Sequence, residues 1–343
     1  MTDEPTPGTG VPVVDCHAHT VPETFLADLA RRPAGGGIEV WRTDGGFAIV
    51  VPGAPERQIR PRMSGLAPRL ASMTEQRIDR QLVAPWLDIQ PTAAMPPADA
   101  RSWARRINDA LLGMADEGAA AAAGVLGSVA LHDPDHAADD LDTAVGAGMA
   151  GLILSTDPAH CDTLGDPRLE PVWAAAEQLG IPVMLHPSAD GPSRALPGSA
   201  AFGNVYCRLV DTSFAVARLI LAGVLDRHPK LRLITVHGGG LVPFQSGRLD
   251  GGHRADALSS YRIDRDRPSD YLADLYYDTV ALSPAAIRFL VEAVGPGRVL
   301  LGTDYPFALG DPDPVGAVES VQLDRTDRDA ILGGNVLSIL ERN

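Results

Sequence analysis

Lysine is almost absent from this chain: Lys230 is the only one in 343 residues, and arginine supplies the rest of its 29 basic side chains. Those arginines are spread out without forming a basic block. With 44 acidic residues the formal charge is -15, which repels phosphate backbones and excludes nucleic acid as an expected partner. Cysteine is scarce too. Cys16, Cys161 and Cys207 are odd in number and scattered, which gives neither a disulfide framework nor a cysteine zinc knuckle and points to a reducing cytoplasm. No apolar run approaches the roughly 20 residues of a membrane span. The opening MTDEPTPGTGVP lacks the basic start and apolar stretch of a secretory signal. The expectation is a soluble cytoplasmic protein with a flexible tail over residues 1–10.

What the chain does contain is a rhythm. Short apolar, β-branched runs recur at Val11 to Asp15, Leu82 to Leu87, Val125 to Leu131, Gly151 to Leu154, Ile181 to Leu185, Leu231 to Val236, Leu275 to Val280 and Val299 to Leu301. Their near-continuous apolar character suits parallel strands covered on both faces. Helix signals lie between them. In DPRLEPVWAAAEQLG, Asp166 can cap, Pro167 suits the first turn and Gly180 the exit; SPAAIRFLVEAVG repeats this with Ser283, Pro284 and Gly295. Asp211 to Arg227 and Arg325 to Arg342 add amphipathic candidates. The alternation predicts an α/β fold, a TIM-type (β/α)8 barrel forming one domain over residues 1–343. Ile38 to Val51 departs from it as two short strands around an Asp-Gly-Gly turn, a small β insertion after strand 1 spanning about residues 33–65. The Pro- and Arg-rich stretch PGAPERQIRPRMSGLAPR that follows reads as a loop across the barrel mouth.

The chemistry-bearing residues gather at strand ends. His17 and His19 in VVDCHAH are two apart, and a strand's period of two aims both the same way. His186 closes the fifth run, His237 closes the sixth, and Asp304 follows the eighth. In a closed barrel such positions converge on one mouth, where active sites of this architecture are built. Each residue alone has an ordinary explanation, a hydrogen-bonded core histidine or a turn carboxylate; together they predict a metal site suited to zinc or another first-row divalent ion. His132, His136, His160, His228 and His253 lie in polar contexts and read as solvated side chains. A two-metal site commonly needs a bridging carboxylate such as a carboxylated lysine on the fourth strand. GLILSTD has no lysine and Lys230 sits at the opposite barrel end, so one metal is expected and His237 is left to act as a base or electrostatic partner.

VDCHAH, LHP, LRLITVHGGGLVPFQSGR and VLLGTDYPFALGD resemble amidohydrolase family 2, in the branch typified by 2-amino-3-carboxymuconate-6-semialdehyde decarboxylase, over nearly the whole chain. The resemblance implies one divalent ion, Zn2+ with Mn2+ as the alternative, on His17, His19, His186 and Asp304, with His237 beside it. It implies a homodimer in which Arg248 reaches the partner's site to hold a substrate carboxylate. Arg57 matches a second substrate arginine, with Arg60 and Arg62 as neighbours, and the loop Ala189 to Asn204 brings Arg194 near the mouth. One departure stands out: the branch has a tryptophan after its fifth-strand His-Pro where this chain has Ser188, so pocket and substrate differ. The expected activity is non-oxidative decarboxylation of a small unsaturated or aromatic carboxylic acid, with His237 and Asp304 catalytic. The alternative is hydrolysis of an amide, lactone or C-C bond on the same scaffold, and a third reading is a non-catalytic binding protein.

Overall fold

A computed structural model describes residues 10–32, 35–118, 121–157, 164–189, 191–258 and 260–341. His160, Cys161, Arg342 and most of the expected N-terminal tail lie outside the described residues. The eight apolar runs form eight parallel strands: β1 (Val14–Thr20), β5 (Arg80–Pro85), β6 (Ala122–Gly127), β7 (Gly151–Ser155), β8 (Pro182–His186), β9 (Arg232–Thr235), β10 (Tyr276–Asp278) and β11 (Val299–Leu300), neighbours in that order. The last strand returns to the first through Cys16 N–H to Leu301 O (2.8 Å), Asp304 N–H to His17 O (2.8 Å) and His19 N–H to Tyr305 O (2.7 Å). The expected barrel is therefore present, and its closing seam runs beside the metal-site candidates.

Period-two alternation sorts the strands into two packed layers. On β8, Met184 joins Leu82, Ala84, Leu126, Ile153, Ile234 and Leu300 in one buried cluster, while Val183 and Leu185 join the residues under the helices. His186, two positions after Met184, keeps the inward direction and emerges at the mouth. Asp166 accepts from Arg168 N–H at the start of the helical segment 167–179, and Gly180 ends it in the left-handed region at φ 62°. Ser283 occupies the expected cap position before the helix Pro284–Val294, but its hydroxyl makes no cap bond. Asp211 to Arg227 is split by Gly223 (φ 68°) into helices Arg208–Leu221 and Val224–Arg227.

The insertion holds one strand more than the two the sequence suggested. β2 (Glu39–Thr43) and β3 (Gly46–Val50) form the expected hairpin, and β4 (Arg57–Ile59) adds a third antiparallel strand, with Ile49 opposite Arg57. Pro61–Ser64 and Leu66–Glu75 are helices. Much of the stretch read as a mouth-crossing loop is thus regular structure. A three-residue strand whose one buried side chain is Ile59 shows no period to read. Phe47, Ile49, Val51 and Ile59 pack with Phe25, Leu26, Met63 and Trp103, which anchors this sheet on the barrel flank and carries Arg57 toward the mouth. His228 is a second correction. It is buried, with Nε2 2.8 Å from Glu170 and Nδ1 3.3 Å from Glu177, because the barrel's lower end brings two carboxylates to it. His132 is half-buried with Nε2 3.1 Å from Met95 O, His253 is half-buried, and His136 is exposed beside Asp133.

Trp103 is fully buried and donates its indole N–H to Ile89 O at 2.7 Å. Trp103→Ala leaves a cavity and an unpaired carbonyl, so urea unfolding should show a loss of about 3–5 kcal/mol, with metal content per folded chain unchanged.

Candidate metal centre

Four imidazoles close around one carboxylate. His17 Nε2 lies 3.0 Å from His19 Nε2 and 3.2 Å from Asp304 Oδ1; His19 Nε2 is 3.4 Å from the same oxygen, and His237 Nε2 is 3.5 Å from Asp304 Oδ2. The His186 ring centroid stands 5.1 Å from that of His17, 4.6 Å from His19 and 5.5 Å from His237. One donor atom each from His17, His186, His237 and Asp304 falls within 4.8 Å of the others. His17, His19, His186 and Asp304 are buried, and His237 is nearly so. His237 and Asp304 both hold positive φ, 55° and 58°, a conformation uncommon outside glycine and one that recurs at functional sites.

The hydrogen-bond frame fixes which nitrogens face inward. His17 Nδ1 sits 2.6 Å from Asp278 Oδ2, His19 Nδ1 is 3.5 Å from Pro85 O, and His186 Nδ1 is 2.9 Å from Pro187 O. A ring nitrogen that faces an acceptor carries the proton, so in the neutral rings it is Nε2 whose lone pair faces the centre. His186 Nε2 and Asp304 Oδ1 are buried without a hydrogen-bond partner. Inward lone pairs, a carboxylate and orphaned buried acceptors together fit a divalent cation and little else. Asp304 responds to the same field. Burial alone would raise it, but the charge of His17, with His19 and His237 close by, holds it well below the usual carboxylate range. Burial likewise opposes a charged His17, yet Asp304 and Asp278 raise it to about 10. Burial lowers His19 to about 4 and pushes His186 well below the usual imidazole value.

Two supports were not read from the sequence. Asp278, at the end of β10, also accepts from Gly238 N–H (2.8 Å) and Val280 N–H (3.1 Å), so one carboxylate orients His17 and pins the turn that carries His237. The strand-end rule that finds His186 applies to it equally, but in the sequence Asp278 stands inside the run Leu275 to Val280 and not at its end. Asp15 accepts from His17 N–H, Thr303 N–H, Thr303 Oγ1 and Gln81 Nε2. Arg69 in turn donates to Gln81 Oε1 (2.8 Å) and to His19 O (2.5 Å).

The arginines fare differently. Arg57 lines a cavity of about 390 Å³ that reaches Ser155, paired with His186 across the sheet, and Ser188, two residues beyond it; Arg57 Nε is 3.4 Å from Asp88 Oδ2. Arg60 and Arg62 are exposed and do not line it. Arg194 does not line it either: its guanidinium donates to Ser199 O (2.9 Å) and Ala200 O (3.4 Å). Arg248 is exposed on the helix Val242–Arg254 and makes no ion pair among the described residues; Asp250, two residues on, accepts from Ser269.

The amidohydrolase family model matches residues 14–340, a span that contains every member of this cluster. The chain belongs to the amidohydrolase family. Among its relatives, 2-amino-3-carboxymuconate-6-semialdehyde decarboxylase of Dictyostelium discoideum is 29% identical over 269 residues, 74% of this chain and 73% of the relative. Gamma-resorcylate decarboxylase of Rhodococcus jostii is 29% identical over 282 residues, 75% of this chain and 82% of that one. In fold, this amidohydrolase is similar to 5-carboxyvanillate decarboxylase from Novosphingobium aromaticivorans, solved with manganese and 4-hydroxy-3-methoxy-5-nitrobenzoic acid, at TM-score 0.80, 20% identity and 99% coverage of each chain. Among the described residues of this amidohydrolase, no helix is long and apolar enough to cross a membrane.

Two outcomes follow from this geometry. Asp278→Asn should weaken divalent-metal affinity by about 10- to 100-fold in a chain that still folds, read by competition with a chromophoric chelator. His17 is protonated below about 10 in the metal-free protein, and metal must displace that proton. Affinity should therefore fall about tenfold for each unit the pH is lowered from 8 to 7, with about one proton released per ion in calorimetry.

Proposed function

We propose that this amidohydrolase is a metal-dependent non-oxidative decarboxylase, a carbon-carbon lyase acting on a small aromatic or unsaturated carboxylic acid. The observation that carries the reading is the convergence of His17, His19, His186 and His237 on Asp304 beside a cavity of about 390 Å³. The decarboxylase names of the two sequence relatives and the manganese in the carboxyvanillate decarboxylase support it. In this reading His17, His19, His186 and Asp304 hold one divalent ion. Three imidazole nitrogens and one carboxylate suit Zn2+ best, with Mn2+ as the alternative. The ion supplies Lewis-acid polarisation of the bound acid and of water.

The protein's own groups handle orientation and protons. His237 is the one histidine of the cluster without a fixed tautomer, since its Nδ1 is buried and lacks a hydrogen-bond partner. It accepts a proton from water or from a substrate hydroxyl. Loss of carbon dioxide leaves an electron pair on the carbon that carried it, and Asp304, 3.5 Å from His237, relays to that carbon the proton that His237 took up. The overall change balances as carboxylate plus one proton giving carbon dioxide and the protonated product. Phe307, with its ring 5.4 Å from His19 and 6.2 Å from Trp86, offers a flat wall for an unsaturated substrate.

Arg57 faces the substrate from within the chain, and Arg248 does so from the partner of a homodimer. Exposed Phe244 and Leu241 stand beside Arg248 on or next to its helix, an apolar setting that suits a subunit contact. Arg194 acts at second hand, by holding the loop that borders the mouth.

Metal-loaded protein should release carbon dioxide from hydroxylated benzoic acids, and His237→Asn should lower kcat by about 10²–10⁴ while keeping its metal. Product formed without carbon dioxide would replace this reading with hydrolysis. Inactive Arg248→Ala and His237→Asn proteins, mixed and allowed to exchange subunits, should regain about one quarter of wild-type activity, since a mixed dimer holds one intact site in two; no regain would remove the shared site.

A further inference from the structure

The cavity beside the metal cluster is lined by five segments: Gly53 to Arg57, Leu87 to Ala94, Val129 to His132, Leu154 to Asp157, and Ser188. Of these only the first brings a lysine or arginine, and that residue, Arg57, stands 3.4 Å from Asp88, itself a lining residue. Asp157 adds a second carboxylate with no cation opposite it among the described lining residues. The chain between Ser155 and Asp166 contains no lysine or arginine, nor does the stretch from His186 to Ser193. His132 does not restore the balance: burial lowers its pKa. Counted over this chain's described lining residues, this part of the mouth is acceptor-rich and carries one net negative charge, with the hydroxyls of Ser155 and Ser188 along its wall.

We propose that Asp157, with the Arg57–Asp88 pair, is a specificity determinant that makes the cavity accept a hydrogen-bond-donating ring substituent, a hydroxyl or an amino group, and turn away a second carboxylate. The inference rests on the reading of the protein as an acid-binding decarboxylase and narrows its substrates to monocarboxylates bearing such a donor. The physical reason is asymmetric. One carboxylate of the substrate meets the cationic metal centre, whereas a second one at the far end would face Asp157 and Asp88 in a half-enclosed cavity where charge is poorly screened. Burial and the neighbouring Asp211 carboxylate already raise Asp157, so a further anion is opposed by a field the protein itself feels. A hydroxyl or amino group instead donates to the carboxylate and gains a charge-assisted hydrogen bond. Ser188 matters for the same reason: it lines the cavity two residues after His186, and a tryptophan there would take up volume that the serine leaves free.

The test compares shape-matched probes, 3- and 4-hydroxybenzoate against benzene-1,3- and benzene-1,4-dicarboxylate, binding to the manganese-loaded protein by calorimetry. Wild type should prefer the hydroxybenzoates by at least about tenfold. Asp157→Asn should narrow that ratio by about fivefold or more, chiefly by improving dicarboxylate binding, with manganese content per chain unchanged. Equal binding of both classes by wild type, a ratio that Asp157→Asn leaves unmoved, or failure of every probe to bind overturns the inference. Binding is read apart from turnover. A shifted ratio without carbon dioxide release sinks the decarboxylase reading alone, and carbon dioxide release with an unmoved ratio sinks this inference alone.

Discussion

Imidazole lone pairs turned toward one another in a dry barrel mouth repel, and the arrangement persists only if something positive sits among them or a large surrounding frame holds them there. Here the frame can be traced. His17 and His19 meet Nε2 to Nε2 at 3.0 Å, and Asp304 brings the only carboxylate into van der Waals range of both. The outer nitrogens of His17, His19 and His186 are each tied to an acceptor, so rotation cannot relieve the conflict cheaply. The demand for a cation is built into the hydrogen-bond frame rather than into the ligands alone.

That frame reaches well beyond the ligands. Asp15, Gln81, Arg69 and Thr303 form a buried relay that ties β1 to β5 and to the segment after β11, across the seam where the barrel closes. Breaking a polar network of this kind leaves unpaired groups in a low-dielectric interior, so it locks register more firmly than apolar packing would. Asp278 does the corresponding work on the other side, joining His17 to the glycine-rich turn after His237. The metal site and the closing of the barrel are therefore one problem, solved by the same side chains.

The mouth divides electrically. The cluster side is ready for a cation and for the oxygen atoms of an acid, while the cavity side has Arg57 neutralised by Asp88 and Asp157 left over. In the proposed reading a substrate of defined polarity would lie across such a gradient in one orientation, with its reacting carbon near His237 and Asp304.

The sequence by itself determined the barrel, since period-two apolar runs alternating with capped helices have few other ways to bury themselves, and it determined that His17, His19, His186, His237 and Asp304 lie near one mouth, since strand ends in a closed barrel converge. It did not reveal β4, which is too short to carry a period, or the burial of His228 between Glu170 and Glu177, which lie more than fifty residues away. Nor did it reveal Asp278, Asp15 or Arg69 as supports, or separate Arg57 from Arg60 and Arg62. Those depend on which distant atoms come within about 3 Å of each other, and hydrogen-bond partnership at that range is a property of three-dimensional register that neither spacing nor residue type encodes.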